Sequence, residues 1–523
     1  MADSTKWRAA IKYELDSHIE NGTWEAGKLP PGRREISSNW VFKTKVNADG
    51  SLPYKARLVV CGFEQREGLD YQETFAPVVK FPTLTVLLAL AAHFDWEIHH
   101  MDVKTAFLYP KLNETVYKMP PEGYGEFLPD HKPIPKMLKL LKCLYGLKQA
   151  SFEWYNHMDE FLRSAGFARS NQDHNHYLSL ESIMLLYVDD ILIFCRSLYA
   201  VTALKKSLSA RYSMVDLGEA KQYMGMHIER DRDARTIYLN QTRYITKILN
   251  CFGMQDCKGI STPMEAAALP PCPIDPAKDI NRTEYQSKVG NVMYAMLGTH
   301  PDLAFAVSAL SKYNSCRITT QHSAMGRVLR YLQTTKNTGI LYKGEPNISA
   351  MPESVCYTDS DWAEDRDKRR STGGFVVVLC GGAVSWKTRK QVIVALSTAE
   401  VEYTSLTEES TEVIWMRRLL REIETRDIES HSTDIWQHHD DSTMQWERAE
   451  DTRPPPFLSP PTTICVDNHG AMKLAHNPQF HNLTKHIDIR YHFVRDTLAA
   501  GEITLRYLPT ADMVADVLTK PFP

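Results

Sequence analysis

The segment Leu185-Leu-Tyr-Val-Asp-Asp-Ile-Leu-Ile-Phe194 places two adjacent carboxylates, Asp189 and Asp190, between two apolar runs. Runs of this length and composition predict two buried β-strands joined by a tight hairpin. Burying neighbouring carboxylates is unfavourable because each loses its hydration and the two charges repel each other. A bound cation relieves both effects, so the segment indicates a metal site at the turn of a hairpin.

A third acid, Asp102, lies near the end of another strand-like run, Trp96–Val103. If the strands are neighbours, Asp102, Asp189 and Asp190 could hold two Mg²⁺ ions roughly 3.5–4 Å apart and stabilise the attacking and leaving oxygens of a phosphoryl transfer. Mg²⁺ prefers oxygen ligands of this kind. The motif Tyr-Val-Asp-Asp is short, however, and a surface hairpin with acidic turn residues explains it equally well by itself.

Ordered matches on both sides of the hairpin distinguish these interpretations. They are Asn39-Trp-Val-Phe-Lys43, Tyr54-Lys-Ala-Arg-Leu-Val59, Thr74-Phe-Ala-Pro-Val-Val-Lys80, Met101-Asp-Val-Lys-Thr-Ala-Phe-Leu108, Leu144-Tyr-Gly-Leu-Lys-Gln-Ala150, Tyr187-Val-Asp-Asp190 and Asp216-Leu-Gly218. With them, residues 6–262 resemble the reverse transcriptase domain of copia-type LTR retrotransposons. The resemblance implies a right-hand fold of fingers, palm and thumb, in which Asp102, Asp189 and Asp190 match the catalytic metal ligands.

The resemblance also implies substrate contacts. Phe107, five residues after Asp102, matches a bulky residue below the sugar that would exclude a ribonucleotide 2′-OH; the alternative is an ordinary core Phe. Lys43 and Arg57 are candidates for contacts with the triphosphate, since charge-assisted contacts to phosphate are strong; the alternative is surface charge on a strand. The other matches are to the segment beside the nascent base pair and to the primer grip: Tyr145, Gly146, Lys148, Met224 and Gly225.

One segment departs from the family pattern. After Gln149-Ala150 the family continues Pro-Arg-x-Trp, whereas this sequence reads Ser151-Phe-Glu-Trp154. A basic residue is therefore replaced beside the expected template path. Either the site is weakened or the change is neutral.

Separated acids mark the C-terminal part of the chain: Asp359, Glu402, Asp467 and Asp516. Their predicted places are after a strand, early on a helix, at the end of a strand and at the start of the final helix. An RNase H fold assembles a two-metal centre in that order, with metal-activated water attacking a phosphodiester. Each acid alone is more often a solvated surface group. Glu400 is an alternative to Glu402, and Asp361 and Asp512 are nearby acids of undecided role.

The strings around these acids favour the catalytic interpretation. They are Arg370-Ser-Thr-Gly-Gly-Phe375, Val384-Ser-Trp-Lys387, Leu396-Ser-Thr-Ala-Glu-Val-Glu-Tyr403, Lys485-His-Ile-Asp-Ile-Arg-Tyr-His-Phe-Val-Arg495 and Ala515-Asp-Val-Leu-Thr-Lys-Pro521. Residues 353–521 are therefore similar to copia-type RNase H. His476, His481, His486 and His492 invite a zinc interpretation, but their spacing does not stack them on one helix face, and we expect no zinc site.

The predicted fold class is a multidomain combination of α+β and α/β. Residues 1–262 form the reverse transcriptase, 263–350 a linker and helical connection, and 351–523 an RNase H-like α/β domain. Apolar residues at spacings of three and four predict helices over Thr283–Tyr342 and Ala399–Ile423. Residues 425–461 are acidic and rich in Pro, so we expect a disordered insertion there.

Composition is that of a globular chain with several domains. Its 523 residues exceed the roughly 250–300 at which a single core stops growing. The ten cysteines include no CxxC pair, which argues against a zinc ribbon. Net charge is −3, but Thr425–Arg453 holds eight acidic and three basic residues, so the remainder is slightly basic. Met1–Arg8 lacks the apolar core of a signal peptide, and no run reaches the roughly 20 apolar residues of a membrane helix. We expect an intracellular protein, cytoplasmic or nuclear, with no membrane partner.

The sequence predicts an RNA-directed DNA polymerase with RNase H activity, using two Mg²⁺ ions per active site, or Mn²⁺ in their place. Its partners would be an RNA template, a DNA primer, dNTPs and the RNA–DNA hybrid. One alternative is a catalytically inactive retrotransposon remnant that at most binds nucleic acid, motivated by the Ser151–Glu153 departure, the insertion, and a start close to the reverse transcriptase boundary with no capsid, protease or integrase region before it. Another is RNase H activity beside a dead polymerase. Presence of all seven predicted metal ligands argues against decay of either site.

Overall fold

The computed structural model describes residues 2–44, 54–127, 133–265, 282–315, 319–345, 350–361, 370–392, 394–395, 397–436, 460–476 and 492–521, with backbone alone over 2–3, 319 and 426–436. The helices are α1 Ala2–Glu20, α2 Phe81–Phe94, α3 Ala150–Ser164, α4 Leu198–Arg211, α5 Thr242–Cys251, α6 Arg282–Gly298, α7 Ala304–Ser311, α8 Thr319–Thr335, α9 Thr398–Trp436, α10 His469–His476, α11 Phe493–Ala499 and α12 Asp516–Thr519. The strands are β1 Trp24–Ala26, β2 Glu35–Ile36, β3 Ser38–Thr44, β4 Tyr54–Val60, β5 Glu97–Val103, β6 Tyr117–Lys118, β7 Leu138–Leu140, β8 Ala168–Arg169, β9 His176–Leu178, β10 Ser182–Tyr187, β11 Asp190–Cys195, β12 Met214–Glu219, β13 Gln222–Tyr223, β14 Met226–Asp231, β15 Thr236–Asn240, β16 Gly339–Lys343, β17 Ser354–Asp361, β18 Thr372–Leu379, β19 Gly382–Lys390, β20 Thr462–Val466 and β21 Ile503–Tyr507.

The predicted hairpin is confirmed as β10 and β11 of a sheet with strand order β12-β5-β11-β10-β9-β8. Its strands are buried because both faces of the sheet are covered. Side chains alternate between the faces of a strand, so Met101 and Ile191 pack with α3 and α4, while Ile98 and Leu192 pack with α2. This central sheet is where the first carboxylate set lies.

The C-terminal sheet has strand order β19-β18-β17-β20-β21. β17 is antiparallel to β18 but parallel to β20, and β20 is parallel to β21. A parallel pair needs a long crossover connection, and here the chain passes from β17 to β20 through β18, β19 and α9. Asp359 lies within β17 rather than after a strand as predicted, because pairing with β18 continues to Asp361.

The two sheets share one apolar core through α2, which packs between them. Thr85 of α2 donates a hydrogen bond of 2.7 Å to the carbonyl oxygen of Val384 in β19. At a second contact, Trp415 of α9 donates through Nε1 to the Gln172 carbonyl at 3.0 Å, and Lys80 Nζ lies 4.6 Å from the Trp415 ring centroid. The C-terminal sheet is therefore attached to the central sheet by buried packing.

Helices between the sheets agree with the prediction, with one exception. α6, α7 and α8 form a core with α5, but the end of the predicted helical stretch Thr283–Tyr342 is strand β16. Gly339–Lys343 pairs with β15, because Ile340 and Tyr342 alternate with exposed residues and bury one face. The predicted linker overlaps residues 266–281, which lie outside the described residues.

Helix α9 continues to Trp436, beyond the predicted end at Ile423. The first part of the segment predicted as a disordered insertion, 425–461, is therefore helical in its backbone, and residues 437–459 of it lie outside the described residues. None of the described helices is both long and apolar enough to cross a membrane.

Candidate active sites

The structure brings together the two strands that carry the first predicted carboxylate set. β5 and β11 are antiparallel neighbours, and Asp102 lies directly opposite Asp190. The hairpin turn carries Asp189, whose carbonyl oxygen accepts a hydrogen bond of 2.8 Å from the Val103 backbone. Val188, just before it, has a positive φ of 57°, and Trp154 Nε1 donates to the Val188 carbonyl at 2.6 Å. Helix α3 therefore holds the turn that presents Asp189.

Burial and mutual repulsion both act on these acids. Burial raises the pKa of Asp102, and the carboxylates of Asp189 and Asp190 raise it further. Burial likewise raises the pKa of Asp189, with a further contribution from Asp190. A cation bound between the carboxylates would offset both burial and repulsion, since a nearby opposite charge favours the ionised form. The chemistry of the donors, oxygen atoms alone, fits Mg²⁺.

Asp190 is oriented by a residue that sequence reasoning missed. His100 lies two residues before Asp102 on the same strand face, and its Nε2 is 3.0 Å from Asp190 Oδ1. Since an ionised carboxylate only accepts hydrogen bonds, the His100 nitrogen donates. The Tyr223 ring packs edge-on against His100, with centroids 5.6 Å apart. Within the described part of the chain, the three acids are not gathered as closely as the C-terminal set below.

The predicted substrate residues near the hairpin form an aromatic cluster. Phe107 and Tyr145 make an edge-to-face contact with centroids 5.0 Å apart, and the Arg57 guanidinium lies 4.9 Å from the Tyr145 ring centroid. Lys55, also missed from sequence, lies on the same strand as Arg57. Burial and then Arg57 lower the pKa of Lys55, while Asp102 opposes the shift. The basic groups of β4 therefore lie close enough to Asp102 and Asp189 for their charges to interact.

The other predicted substrate residues are more scattered. Lys43 is exposed on β3 opposite Lys55. Lys148 Nζ lies 3.0 Å from the Tyr71 hydroxyl. Met224 and Gly225 form the turn between β13 and β14, both with positive φ, and the Met224 carbonyl accepts a hydrogen bond from the Tyr294 hydroxyl of α6.

The segment Ser151–Glu153, which departs from the family pattern, lies in the first turn of helix α3. The helix is intact there, because it begins at Ala150 and buries Trp154. Glu153 accepts a hydrogen bond of 3.2 Å from Asn113 Nδ2. Burial raises the pKa of Glu153, and the nearby Glu114 raises it further. Aligned on Trp154, the family's Arg corresponds to Phe152 and its variable position to Glu153, an acid that is partnered within the chain.

Gly146 is required by the backbone at the join between β4 and the segment 144–150. It has a φ of +94°, and a Cβ there would overlap the Val60 carbonyl oxygen. The Tyr145 carbonyl meanwhile accepts a hydrogen bond of 2.8 Å from the Val60 backbone. Any side chain at position 146 must therefore separate two hydrogen-bonded backbone segments.

Gly146→Ala is expected to lower the free energy of unfolding by at least about 3 kcal/mol, since it combines an unfavourable φ with a backbone clash. Gly166→Ala is the matched control, because Gly166 has a φ of +89° but no described atom within 4 Å of a built Cβ. The control should lose only about 1 kcal/mol. Urea unfolding followed by fluorescence measures both, and equal losses would contradict the proposed close approach.

The C-terminal acids converge. Carboxylate oxygens of Asp359, Glu402 and Asp467 all lie within 4.8 Å of one another, the one group of three possible metal ligands found among the described residues. β17 supplies Asp359, α9 supplies Glu402, and Asp467 follows β20. Because β17 and β20 are parallel neighbours, Asp359 and Asp467 lie at the same end of the two strands, where they meet Glu402 of α9.

Electrostatics of this group also fit a divalent cation. Burial raises the pKa of Glu402 to about 8, and the carboxylates of Asp359 and Asp467 contribute. Glu402 Oε1 accepts a hydrogen bond of 3.2 Å from the Ser360 backbone, whereas its buried Oε2 has no hydrogen-bond partner among the described residues. A buried, unpartnered carboxylate oxygen facing two other carboxylates is what an oxygen-coordinated metal would satisfy.

Asp516 flanks the same group from α12. Burial raises the pKa of Asp516, and Asp359 raises it further. Lys520 Nζ lies 3.3 Å from Asp516 Oδ1 and 3.4 Å from Asp359 Oδ2. Burial alone would lower the pKa of Lys520, but these two carboxylates raise it. Thr519 also donates a hydrogen bond to Asp359.

The remaining candidates lie outside the group. Glu400 is buried on α9 but is not part of the close carboxylate set. Asp512 is exposed. Of the four histidines, His481 and His486 lie outside the described residues, and His492 Nδ1 is 2.9 Å from the Tyr403 hydroxyl.

Known proteins match this chain over nearly its whole length. The family profile described as reverse transcriptase (RNA-dependent DNA polymerase) matches residues 21–266. The retrovirus-related Pol polyprotein from transposon TNT 1-94 of Nicotiana tabacum is 36% identical, over 98% of this chain and 36% of the relative. The corresponding polyprotein from transposon RE1 of Arabidopsis thaliana is 36% identical, over 99% of this chain and 33% of the relative. A Saccharomyces cerevisiae protein named for transposon Ty5-1 is 31% identical, over 60% of this chain and 100% of the relative.

This chain belongs to the copia-type retrotransposon Pol family. It spans about a third of the length of the plant polyproteins that it matches. In this copia-type chain, the residues that sequence reasoning missed are His100, Lys55 and Lys520. The only available sequence signal for them was proximity: His100 lies two residues from Asp102, Lys55 two from Arg57, and Lys520 four from Asp516.

Proposed function

We propose that this copia-type chain is an RNA-directed DNA polymerase with ribonuclease H activity. The observation that carries the proposal is the register of β5 and β11, which sets Asp102 opposite Asp190 beside a hairpin turn carrying Asp189. In this proposal, residues 1–262 form fingers, palm and thumb, 263–350 the connection, and 351–523 the RNase H-like domain. Membership of a reverse transcriptase family supports the first assignment.

For polymerisation, Asp102, Asp189 and Asp190 would hold two Mg²⁺ ions, or Mn²⁺ in their place. Bound ions there would activate the primer 3′ oxygen and stabilise the charge that develops on the transferred phosphate. Side chains of the protein itself would orient the metal ligands and neutralise the charge of the substrate. His100 fixes one oxygen of Asp190, and Arg57, with Lys43 and Lys55 on the same strand pair, would contact the triphosphate of a dNTP.

The aromatic pair Phe107 and Tyr145 supports selection of the sugar. Their edge-to-face contact would restrain the Phe107 ring, and a ring held below the sugar would clash with a ribonucleotide 2′-OH. Gly146 and Lys148 would lie beside the nascent base pair, and Met224 and Gly225 at the hairpin turn would hold the primer end. Anchoring of that turn by the Tyr294 hydroxyl is consistent with a positioning role.

For hybrid cleavage, Asp359, Glu402, Asp467 and Asp516 would hold the two ions. Asp359, Glu402 and Asp467 converge at one end of the inner strands of a sheet with strand order 3-2-1-4-5, and Asp516 is joined to Asp359 through Lys520. This supports an RNase H-like arrangement. Recognition of the hybrid would rest on backbone shape and 2′-OH groups, with phosphate contacts that weaken as salt rises.

Primer extension tests the proposal directly. Full-length chain, a primed RNA template and Mg²⁺ should yield extended primer with dNTPs and much less with rNTPs, and EDTA should stop it. A labelled RNA–DNA hybrid in a parallel reaction should be cut in its RNA strand alone. A well-folded chain that does neither would support the alternative of an inactive, nucleic-acid-binding remnant, and cleavage without extension would support a dead polymerase.

A further inference from the structure

A cation of the chain itself lies within the C-terminal carboxylate cluster. The ammonium of Lys520 is 3.4 Å from Asp359 Oδ2 and 3.3 Å from Asp516 Oδ1. Both distances are within ion-pair range. Since Asp359 is also part of the group with Glu402 and Asp467, the four acids divide into two subsites that share Asp359.

The two subsites differ in what balances their charge. On the side of Glu402 and Asp467, three carboxylates face one another, and the buried Oε2 of Glu402 has no hydrogen-bond partner among the described residues. On the side of Asp516, the positive charge of Lys520 bridges the two carboxylates. A divalent ion entering the first subsite meets three carboxyl groups, whereas an ion entering the second meets an ammonium already in place between two of its ligands.

The backbone of Lys520 is held in place, so its side chain can move away from the carboxylates by itself. Its backbone N–H donates to the Asp516 carbonyl at 3.0 Å, and the preceding Thr519 is fully buried and donates to Asp359. The Lys520 side chain is 38% exposed, against 2% for Asp359. Rotation about its side-chain bonds would therefore move the ammonium into solvent without disturbing the carboxylates.

We propose that the Lys520 ammonium is the resident counter-ion of the Asp359–Asp516 subsite, and that a divalent cation binds there only by displacing it. The first ion then binds to Asp359, Glu402 and Asp467 more tightly than the second binds beside Asp516. This inference rests on the proposed function for the identity of the metal. It predicts that removing the ammonium strengthens binding of the second ion.

The test is Mn²⁺ binding to the full chain without nucleic acid, measured by calorimetry and by loss of the free-ion electron paramagnetic resonance signal. All proteins carry Asp189→Asn and Asp190→Asn, so that the polymerase acids contribute little. Lys520→Met removes the charge and keeps the stem, Lys520→Arg keeps the charge, and Lys343→Met changes an exposed lysine on β16. Lys520→Met should bind the second ion roughly tenfold or more tightly, with Lys520→Arg and Lys343→Met close to the parent.

Other outcomes overturn the proposal. Equal second-ion affinity in the Lys520→Met and parent proteins would show that the ammonium does not compete for the subsite. Weaker binding in Lys520→Met would show that Lys520 organises the ligands rather than opposing the metal. Circular dichroism and thermal melting without metal confirm that each variant is folded. Because this readout needs no substrate, loss of hybrid cleavage with the expected Mn²⁺ result would fault the proposed function and leave the inference standing.

Discussion

The Asp189→Asn/Asp190→Asn double variant is expected to incorporate dNTPs at least about a thousandfold more slowly than the unaltered chain. Asp189 is presented by the hairpin turn, and Asp190 lies opposite Asp102. Replacing both carboxylates by amides removes two anionic ligands of the proposed metal pair and keeps side-chain volume. Single-turnover primer extension on an RNA template at saturating dNTP measures the loss.

The fold should survive this change. Burial and the neighbouring charges raise the pKa of both Asp102 and Asp189, so removing two of the three charges relieves repulsion rather than creating it. The thermal midpoint without metal should not fall, and cleavage of an RNA–DNA hybrid should remain. Asp233→Asn, at an exposed position, is the matched control. Incorporation that survives the double change would show that the polymerase assignment is wrong.

Glu402→Gln is expected to reduce hybrid cleavage by about a thousandfold or more, while Glu400→Gln has little effect. Glu400 lies in the first turn of α9 and Glu402 follows two residues later, and the two are equally buried, each 5% exposed. Glu402 alone of the two belongs to the close group with Asp359 and Asp467. A pair of identical substitutions at matched burial therefore separates loss of a metal ligand from disturbance of the helix.

Cleavage of a labelled hybrid at saturating Mg²⁺ measures both variants, with primer extension as the internal control. Extension should be unchanged in each, because the polymerase acids lie on a different sheet. If Glu400→Gln were the inactive variant, the ligand would be Glu400 and the geometry of α9 in the active protein would differ. Equal activity of both variants with the unaltered chain would remove Glu402 from the proposed centre.

Much of the local structure was predictable from sequence because its causes are local. Two apolar runs around Asp189 and Asp190 predicted β10 and β11, which are buried on both faces. Apolar spacing of three and four residues predicted α6 and α8. The same method failed where long-range pairing decides the structure. Strand β16 follows a helical stretch and is fixed by β15, about a hundred residues earlier.

By itself, the sequence determined the family and the residue types of both carboxylate sets, since motifs and their order are read along the chain. Only the tertiary structure decided which acids meet. Register places Asp102 opposite Asp190, and convergence of β17, α9 and β20 favours Glu402 over Glu400. Contacts such as Lys520 with Asp359 join positions 161 residues apart. Their geometry depends on packing of the whole sheet, because ion pairs and hydrogen bonds act over a few ångströms in space, whatever the separation along the chain.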